Sequence, residues 1–316
     1  MLPRLRLAHL PTPVEPLPRL SAALGGVRLW IKRDDQTGLA FGGNKTRKLE
    51  YLVAQAQADG ARALMTRGAA QSNHCRQTAA AAARFGFDCT LVLKGSPPPQ
   101  PNGNVLLDRL LGAKLVWAGS RDPEAVLRET FDEARAAGLR PFLIPYGGSS
   151  ATGAVGYAEA IREFMDQGVE VDRIVFASSS GGTQAGMVAG SRAYGQAARI
   201  YAMSVDRPAA ELQAHVTALA GEVAALIGGA ETFDPSTIEV DDRFLGGGYG
   251  VLGDREREAI GLFAHTEGVL LDPVYTGRAA GGLLELIRTR EILPDERVLF
   301  WHTGGTPALF AYADSL

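Results

Sequence analysis

Lysine is scarce in this 316-residue chain: of 32 basic residues only five are lysine, Lys32, Lys45, Lys48, Lys94 and Lys114. Arginine does not lose its proton near neutral pH, so any chemistry that needs a neutral amine falls to one of these five. Cysteine is scarcer still. Cys75 and Cys89 cannot build a disulfide framework. The five histidines, His9, His74, His215, His265 and His302, lack metal-type spacing, so no zinc set is expected. No apolar run approaches the ~20 residues of a membrane-spanning helix. The opening MLPRLRLAHLPTPVEPLP carries two arginines but is broken by five prolines, which makes it a poor secretory signal. The net charge of -3 gives no reason to expect nucleic acid or an anionic membrane as a partner. Neither a Walker-type Gly-Lys-Ser/Thr nor a G-x-S-x-G elbow occurs. The expectation is a soluble cytoplasmic protein that handles a small molecule.

Glycine is abundant: 38 residues, about 12% against a usual ~7%. These glycines have no three-residue period, so collagen is excluded. Hydrophobic residues reach 46%, enough for large buried cores in one large or two ordinary domains. Strand-like segments are read at 27–32, 63–66, 89–93, 114–117, 141–145, 173–177, 200–205 and 297–301. Helix-like segments fall between them, at 45–59, 72–85, 104–111, 123–137, 152–167, 183–194, 208–228, 254–267 and 277–289. Such alternation predicts an α/β protein with two doubly wound parallel sheets. Ligands in such sheets sit at the carboxyl ends of strands.

The strongest anion-site candidate is Ser178-Ser179-Ser180-Gly181-Gly182-Thr183-Gln184-Ala185-Gly186, which follows the apolar strand Arg173–Ala177 and opens a helix. A helix start presents free N–H groups and a positive dipole end. No Lys or Arg lies in this loop, so backbone and hydroxyls are expected to hold the anion. A phosphate monoester fits that better than a triphosphate. A literal G-x-G-x-x-G at Gly248–Gly253 follows a poor strand, Asp241–Leu245, and is read as a loop near a ligand rather than a dinucleotide site.

Gly42-Gly43-Asn44-Lys45 delivers a lysine to a helix start, where the dipole favours the neutral amine. A neutral amine can form a Schiff base with an aldehyde. An aldehyde carrying a phosphate monoester is pyridoxal 5′-phosphate, and a reactive lysine with a phosphate cup are the two anchors it needs. Gln71-Ser72-Asn73-His74 opens another helix and could receive a carboxylate, with His74 read as a packed or capping residue. Tyr275, in Leu271–Gly277, and the segment His302–Pro307 close the set.

With these motifs assembled, the chain resembles the fold-type-II, tryptophan-synthase-β-like pyridoxal-phosphate enzymes, in the branch of D-cysteine desulfhydrase and 1-aminocyclopropane-1-carboxylate (ACC) deaminase. The resemblance rests on Leu10–Pro13, Ile31–Asp35, Gly42–Glu50, Gln71–His74, Gly103–Leu107, Gly181–Gly186, Leu271–Gly277 and His302–Gly305. It implies Lys45 as the Schiff-base residue and Ser180, Gly181, Gly182 and Thr183 as the phosphate cup. It also implies Asn73 at the ring oxygen, Thr303 at the pyridine nitrogen, and Ser72 with Gln71 or Gln77 at the substrate carboxylate. Tyr275 and Tyr249 would line the reacting face.

ACC deaminases resemble this pattern but carry Glu directly after the tyrosine, where this chain has Thr276. A hydroxyl holds the pyridine nitrogen protonated less firmly than a carboxylate, which favours loss of a good leaving group over ring opening. The resemblance therefore implies β-elimination from D-cysteine, with L-cysteate sulfo-lyase and ACC deaminase as alternatives. It further implies a homodimer, a small amino-acid substrate, a larger domain of 1–48 plus 163–316, and a smaller one of 49–162. Twelve glycines fall in five clusters, 42–43, 147–148, 181–182, 246–248 with 250, and 304–305. Four clusters flank the residues above; the fifth follows a predicted strand.

Overall fold

The computed structural model describes residues 2–316. Among them, ten strands form two sheets: β1 (Val14–Pro16), β2 (Arg28–Lys32), β3 (Ala63–Gly68), β4 (Asp88–Leu93), β5 (Lys114–Trp117), β6 (Pro141–Leu143), β7 (Arg173–Ser178), β8 (Arg199–Ser204), β9 (Glu239–Asp241) and β10 (Arg297–Trp301). The helices are α1 (Pro18–Ala23), α2 (Asn44–Ala58), α3 (Asn73–Phe85), α4 (Gly103–Leu110), α5 (Pro123–Ala136), α6 (Ala151–Asp166), α7 (Gly182–Tyr194), α8 (Ala209–Leu226), α9 (Asp254–Glu267) and α10 (Thr276–Arg288).

The larger sheet runs β1-β2-β10-β7-β8-β9, parallel except for β1, and the smaller runs β5-β4-β3-β6, parallel throughout. Alternating side chains load both faces of each sheet. In β10, Val298 and Phe300 enter one core while Leu299 and Trp301 enter the opposite one. In the smaller sheet, Leu64 and Leu91 face one core, and Met65 and Val92 the other. Strands buried on both faces read as continuous apolar runs, as Arg173–Ala177 did.

Every element read from the sequence is present, with ends within two residues. Among the strands and α-helices, three were not foreseen: β1, α1 and β9. The first ends in proline at the sheet edge, where a missing N–H costs nothing. The second is six residues long and starts at Pro18 without a side-chain cap. The third is a three-residue edge strand whose Asp241 accepts from the Tyr201 hydroxyl at 2.8 Å.

Two buried arrangements place the helices that carry the site. Arg47 on α2 donates to Asp34 and Glu163, while Lys32 donates to Glu163 and Tyr157 to Asp34. Burial opposes the charge on Asp34, but the Arg47 guanidinium prevails and holds its carboxyl down at about 2. The second arrangement is a close approach of α7 to α6. A Cβ on Gly186 would lie 2.1 Å from the Ala154 carbonyl oxygen, so only glycine permits this helix spacing. Helix α6 also buries Tyr157, Ile161 and Phe164 with Ile174, Phe176 and Trp301 of the larger sheet.

Candidate active site

One cavity gathers most of the residues singled out from the sequence. It lies between the sheets, at the carboxyl ends of β2, β3, β6, β7 and β10, and is lined by segments that follow them. Lys45, Ser72, Asn73, Ser180, Gly181, Thr183, Tyr275 and Thr303 all stand on its wall.

Lys45 is the second residue of α2, whose start is fixed by Asn44: its N–H donates to Thr303 O at 2.9 Å and its Nδ2 to the Thr183 hydroxyl at 3.0 Å. Burial lowers the Lys45 amine to about 8. The direction is the one expected at a helix start, but desolvation is the cause. Across the cavity, α7 begins at Gly182 after Gly181 in the left-handed region (φ 77°), and Gly181 has no side chain to cap its first turn. Its leading N–H groups are the donors an anion would take.

The cup is closed by a loop that sequence reasoning missed, Tyr146-Gly147-Gly148-Ser149. A Cβ on Gly147 would come within 2.3 Å of Ser180 Oγ, so the backbone lies directly against the cup. The Ser149 and Ser180 hydroxyls are 2.8 Å apart, and Gly182 N donates to Ser149 Oγ at 3.1 Å. Behind them the buried Lys48 amine reaches Gly147 O at 3.2 Å and Ser149 Oγ at 3.3 Å. An amine therefore stands one hydroxyl behind the cup, although no lysine lies in the loop sequence. Burial, reinforced by the charge of Lys45, pushes the Lys48 amine well below its usual value. The fifth glycine cluster and the scarcity of lysine were the signals for this wall.

Ser72 caps α3, accepting from Cys75 N at 3.2 Å, which leaves its own O–H free to donate. His74, read from sequence as a packed residue, also lines the cavity. Its Nε2 is 2.9 Å from the Thr66 hydroxyl, which donates to Ile144 O; Nε2 therefore carries the proton. Burial, then Lys45 and Lys48, push His74 well below its usual value, so the ring is neutral. Its Nδ1 and the Ser178 hydroxyl, both buried in residues of the wall, have no protein partner among the described residues. A polar ligand would meet both residues.

The Tyr275 hydroxyl is 2.5 Å from that of Tyr249, which comes from the glycine-rich loop at 246–250. Burial pushes both phenols up, so both are protonated. The G-x-G-x-x-G thus serves as a tyrosine-bearing loop, its Gly253 opening α9 with Glu256 as cap.

The structure does not bring Gln71 and Gln77 to this wall. Gln77 is fully buried one turn deeper along α3, accepting from the Thr46 hydroxyl at 2.8 Å. Gln71 Oε1 accepts from Asn104 N at 2.8 Å. The Thr276 hydroxyl donates to Asp272 Oδ1 and accepts from Asp272 N, both at 2.8 Å, so it is taken up within its own turn.

Among the described residues, no helix is long and apolar enough to cross a membrane. A family model described as pyridoxal-phosphate dependent enzyme matches residues 5–304. The chain is 45% identical over 319 aligned positions to D-cysteine desulfhydrases of Salmonella typhi and Salmonella newport (strain SL254), covering 98% of this chain and 96% of each relative. A crystal structure of an ACC deaminase homologue matches with a TM-score of 0.92 at 38% identity, over 99% of this chain and 95% of that one. A tomato (Solanum lycopersicum) threonine deaminase shares the fold, with a TM-score of 0.67 at 18% identity, over 95% of this chain and 85% of that one.

Proposed function

The chain belongs to the family of pyridoxal-phosphate-dependent enzymes, and on that premise we propose that it removes sulfide from D-cysteine, releasing pyruvate and ammonia. The observation that carries this reading is one amine, Lys45, lowered to about 8 and sharing a single cavity with a glycine-led helix start. A phosphorylated aldehyde needs both. Kinship with D-cysteine desulfhydrases across nearly the whole chain supports the choice of substrate.

The residues present suit the cofactor. Ser180, Gly181, Gly182 and Thr183 would hold its phosphate, with the Lys48 amine behind Ser149. Asn73 and Thr303 would meet the ring, and Lys45 would carry the aldehyde carbon. When bound, the cofactor supplies an electron sink for charge left at the substrate Cα. The released Lys45 amine takes the Cα proton, a task suited to a base near 8. The free O–H of Ser72 donates to the substrate carboxylate. Tyr275, with Tyr249 behind it, delivers a proton to the departing sulfur.

Ring opening of ACC is the second reading, favoured by the likeness to the ACC deaminase homologue. Sulfite loss from L-cysteate is chemically close to the first. Pyruvate release measured in parallel on D-cysteine, L-cysteine, L-cysteate and ACC decides among them. The proposal expects the highest kcat/KM for D-cysteine, with sulfide formed in step. A higher kcat/KM on ACC or L-cysteate overturns it.

The same reading extends to a cytoplasmic homodimer. The two buried free thiols, Cys75 and Cys89, suit a reducing compartment. Light scattering at twice the 33.5 kDa chain mass tests the dimer. In the two-domain division, the contacts of α6 with the larger sheet favour assigning that helix to the larger domain.

A further inference from the structure

An asparagine on a cavity wall can present either its oxygen or its nitrogen, and the neighbours of Asn73 decide which. Arg76, one turn along α3, donates from Nη1 to Asn73 Oδ1 at 3.1 Å. Asn104, at the start of α4, donates from Nδ2 to the same oxygen at 3.0 Å. A guanidinium has no acceptor, so the oxygen must face it and Nδ2 is left for the cavity. Arg76 is itself locked. Its Nη1 also donates to Asn104 Oδ1 at 2.8 Å, and its Nη2 to Gly42 O at 2.7 Å. Asn104 is held in turn by Gln71, through Nδ2 to Gln71 O at 2.9 Å.

We propose that Arg76 and Asn104 are positioning residues that fix Asn73 as a hydrogen-bond donor toward the ring oxygen of the bound cofactor and favour the anionic form of that oxygen. This rests on the reading that pyridoxal phosphate occupies the cavity.

The charge balance supports it. Arg76 is fully buried, and two carboxylates face it, Asp108 on α4 and Asp272 before α10. Neither is bonded to it. Asp272 accepts from Val274 N, Tyr275 N, Thr276 N and the Thr276 hydroxyl. Both Asp108 oxygens, and Arg76 Nε, have no partner among the described residues. Burial pushes Asp108 up to about 8, so it is mostly neutral near pH 7. Burial lowers Arg76 only to about 10, so it keeps its charge. A buried cation lies behind the Asn73 amide with no bonded counter-ion, and a donor polarised in this way favours negative charge on its acceptor. On the cavity side, the His74 ring is neutral and the Lys48 amine is pushed well below its usual value, so neither matches the Arg76 charge.

The test is spectroscopic. Wild type, Arg76→Gln, Arg76→Lys and Asn104→Ala are loaded with pyridoxal phosphate, and the ratio of the visible to the near-ultraviolet cofactor band is read with thermal stability alongside. The visible band belongs to the form with an anionic ring oxygen. The proposal expects that ratio to fall about fivefold in Arg76→Gln, the effect of roughly one lost polar contact. Arg76→Lys, which keeps the charge but not the fork, should recover part of it, and Asn104→Ala should fall less. A loaded Arg76→Gln with the wild-type ratio overturns the inference, even if its melting temperature drops. Should Arg76→Gln fail to fold, an unchanged ratio in Asn104→Ala overturns it instead. A wild-type chain that takes up no cofactor brings down the functional reading, and this inference with it.

Discussion

The hydroxyls of Tyr249 and Tyr275 stand 2.5 Å apart, with their rings edge to face at 6.0 Å between centroids and 75° between planes. One O–H must donate to the other, so the pair has a single proton to give outward. Tyr275→Phe should therefore lower kcat for sulfide release by about 100-fold with little change in KM, within the range for one general acid. Tyr249→Phe should cost less, because the Tyr275 hydroxyl remains. On a β-chloro substrate, whose leaving group needs no proton, the Tyr275→Phe deficit should shrink. An equal deficit on both substrates removes the acid role.

Lys45 sets a pH dependence that can be read without turnover. In cofactor-free protein the neutral amine is the reactive form, and burial lowers this amine to about 8. Capture of pyridoxal phosphate should rise about tenfold per pH unit below that value and level off above it. Stopped-flow absorbance follows it directly. Lys45→Ala should show no covalent band at any pH, whereas a surviving band would move the assignment to another amine.

Lys48 is predicted to act on affinity rather than on turnover. Its amine supports Ser149 and through it Ser180. Lys48→Met should weaken pyridoxal-phosphate binding by about 10- to 50-fold, the effect of losing the two hydrogen bonds that hold this wall. At saturating cofactor kcat should stay within about threefold of wild type. Fluorescence titration of the cofactor against the apoprotein separates the two quantities.

Asp34 links stability to acid. Its folded value of about 2 lies below the ordinary 3.8. The stabilisation is thus complete above about 4 and is lost as pH falls through about 2. Asp34→Asn leaves Arg47 buried without its closest counter-charge and should destabilise the fold by about 3 kcal/mol at neutral pH. The acid limb of its stability profile should also flatten. Denaturant melts at several pH values check both.

The parts of the site legible in the sequence are the contiguous ones. Ser178–Thr183 carries strand end, turn and helix start in one stretch, so its geometry follows from local rules. Lys45 was visible because glycines precede it and few other lysines compete. The Tyr146–Ser149 wall was hidden because only the packing of the smaller sheet brings the end of β6 to Ser180. Gln77 was misplaced for a related reason. It shares a helix with Asn73, but one turn of α3 is enough to carry it from the cavity wall to a partner on α2, Thr46. Spacing along a helix gives the face; only the neighbouring helix gives the depth.

The contact between Gly186 and the Ala154 carbonyl acts as a gauge for the whole site. Gly186 lies on the helix whose first turn forms the anion cup, and Ala154 on the helix that follows the Tyr146–Ser149 wall. Their separation fixes how far apart the two halves of the cup stand. A single methyl group at Gly186 would push the helices apart and widen an opening it never touches. The dimensions of the site are thus written partly in a residue that has no side chain and no contact with the cavity.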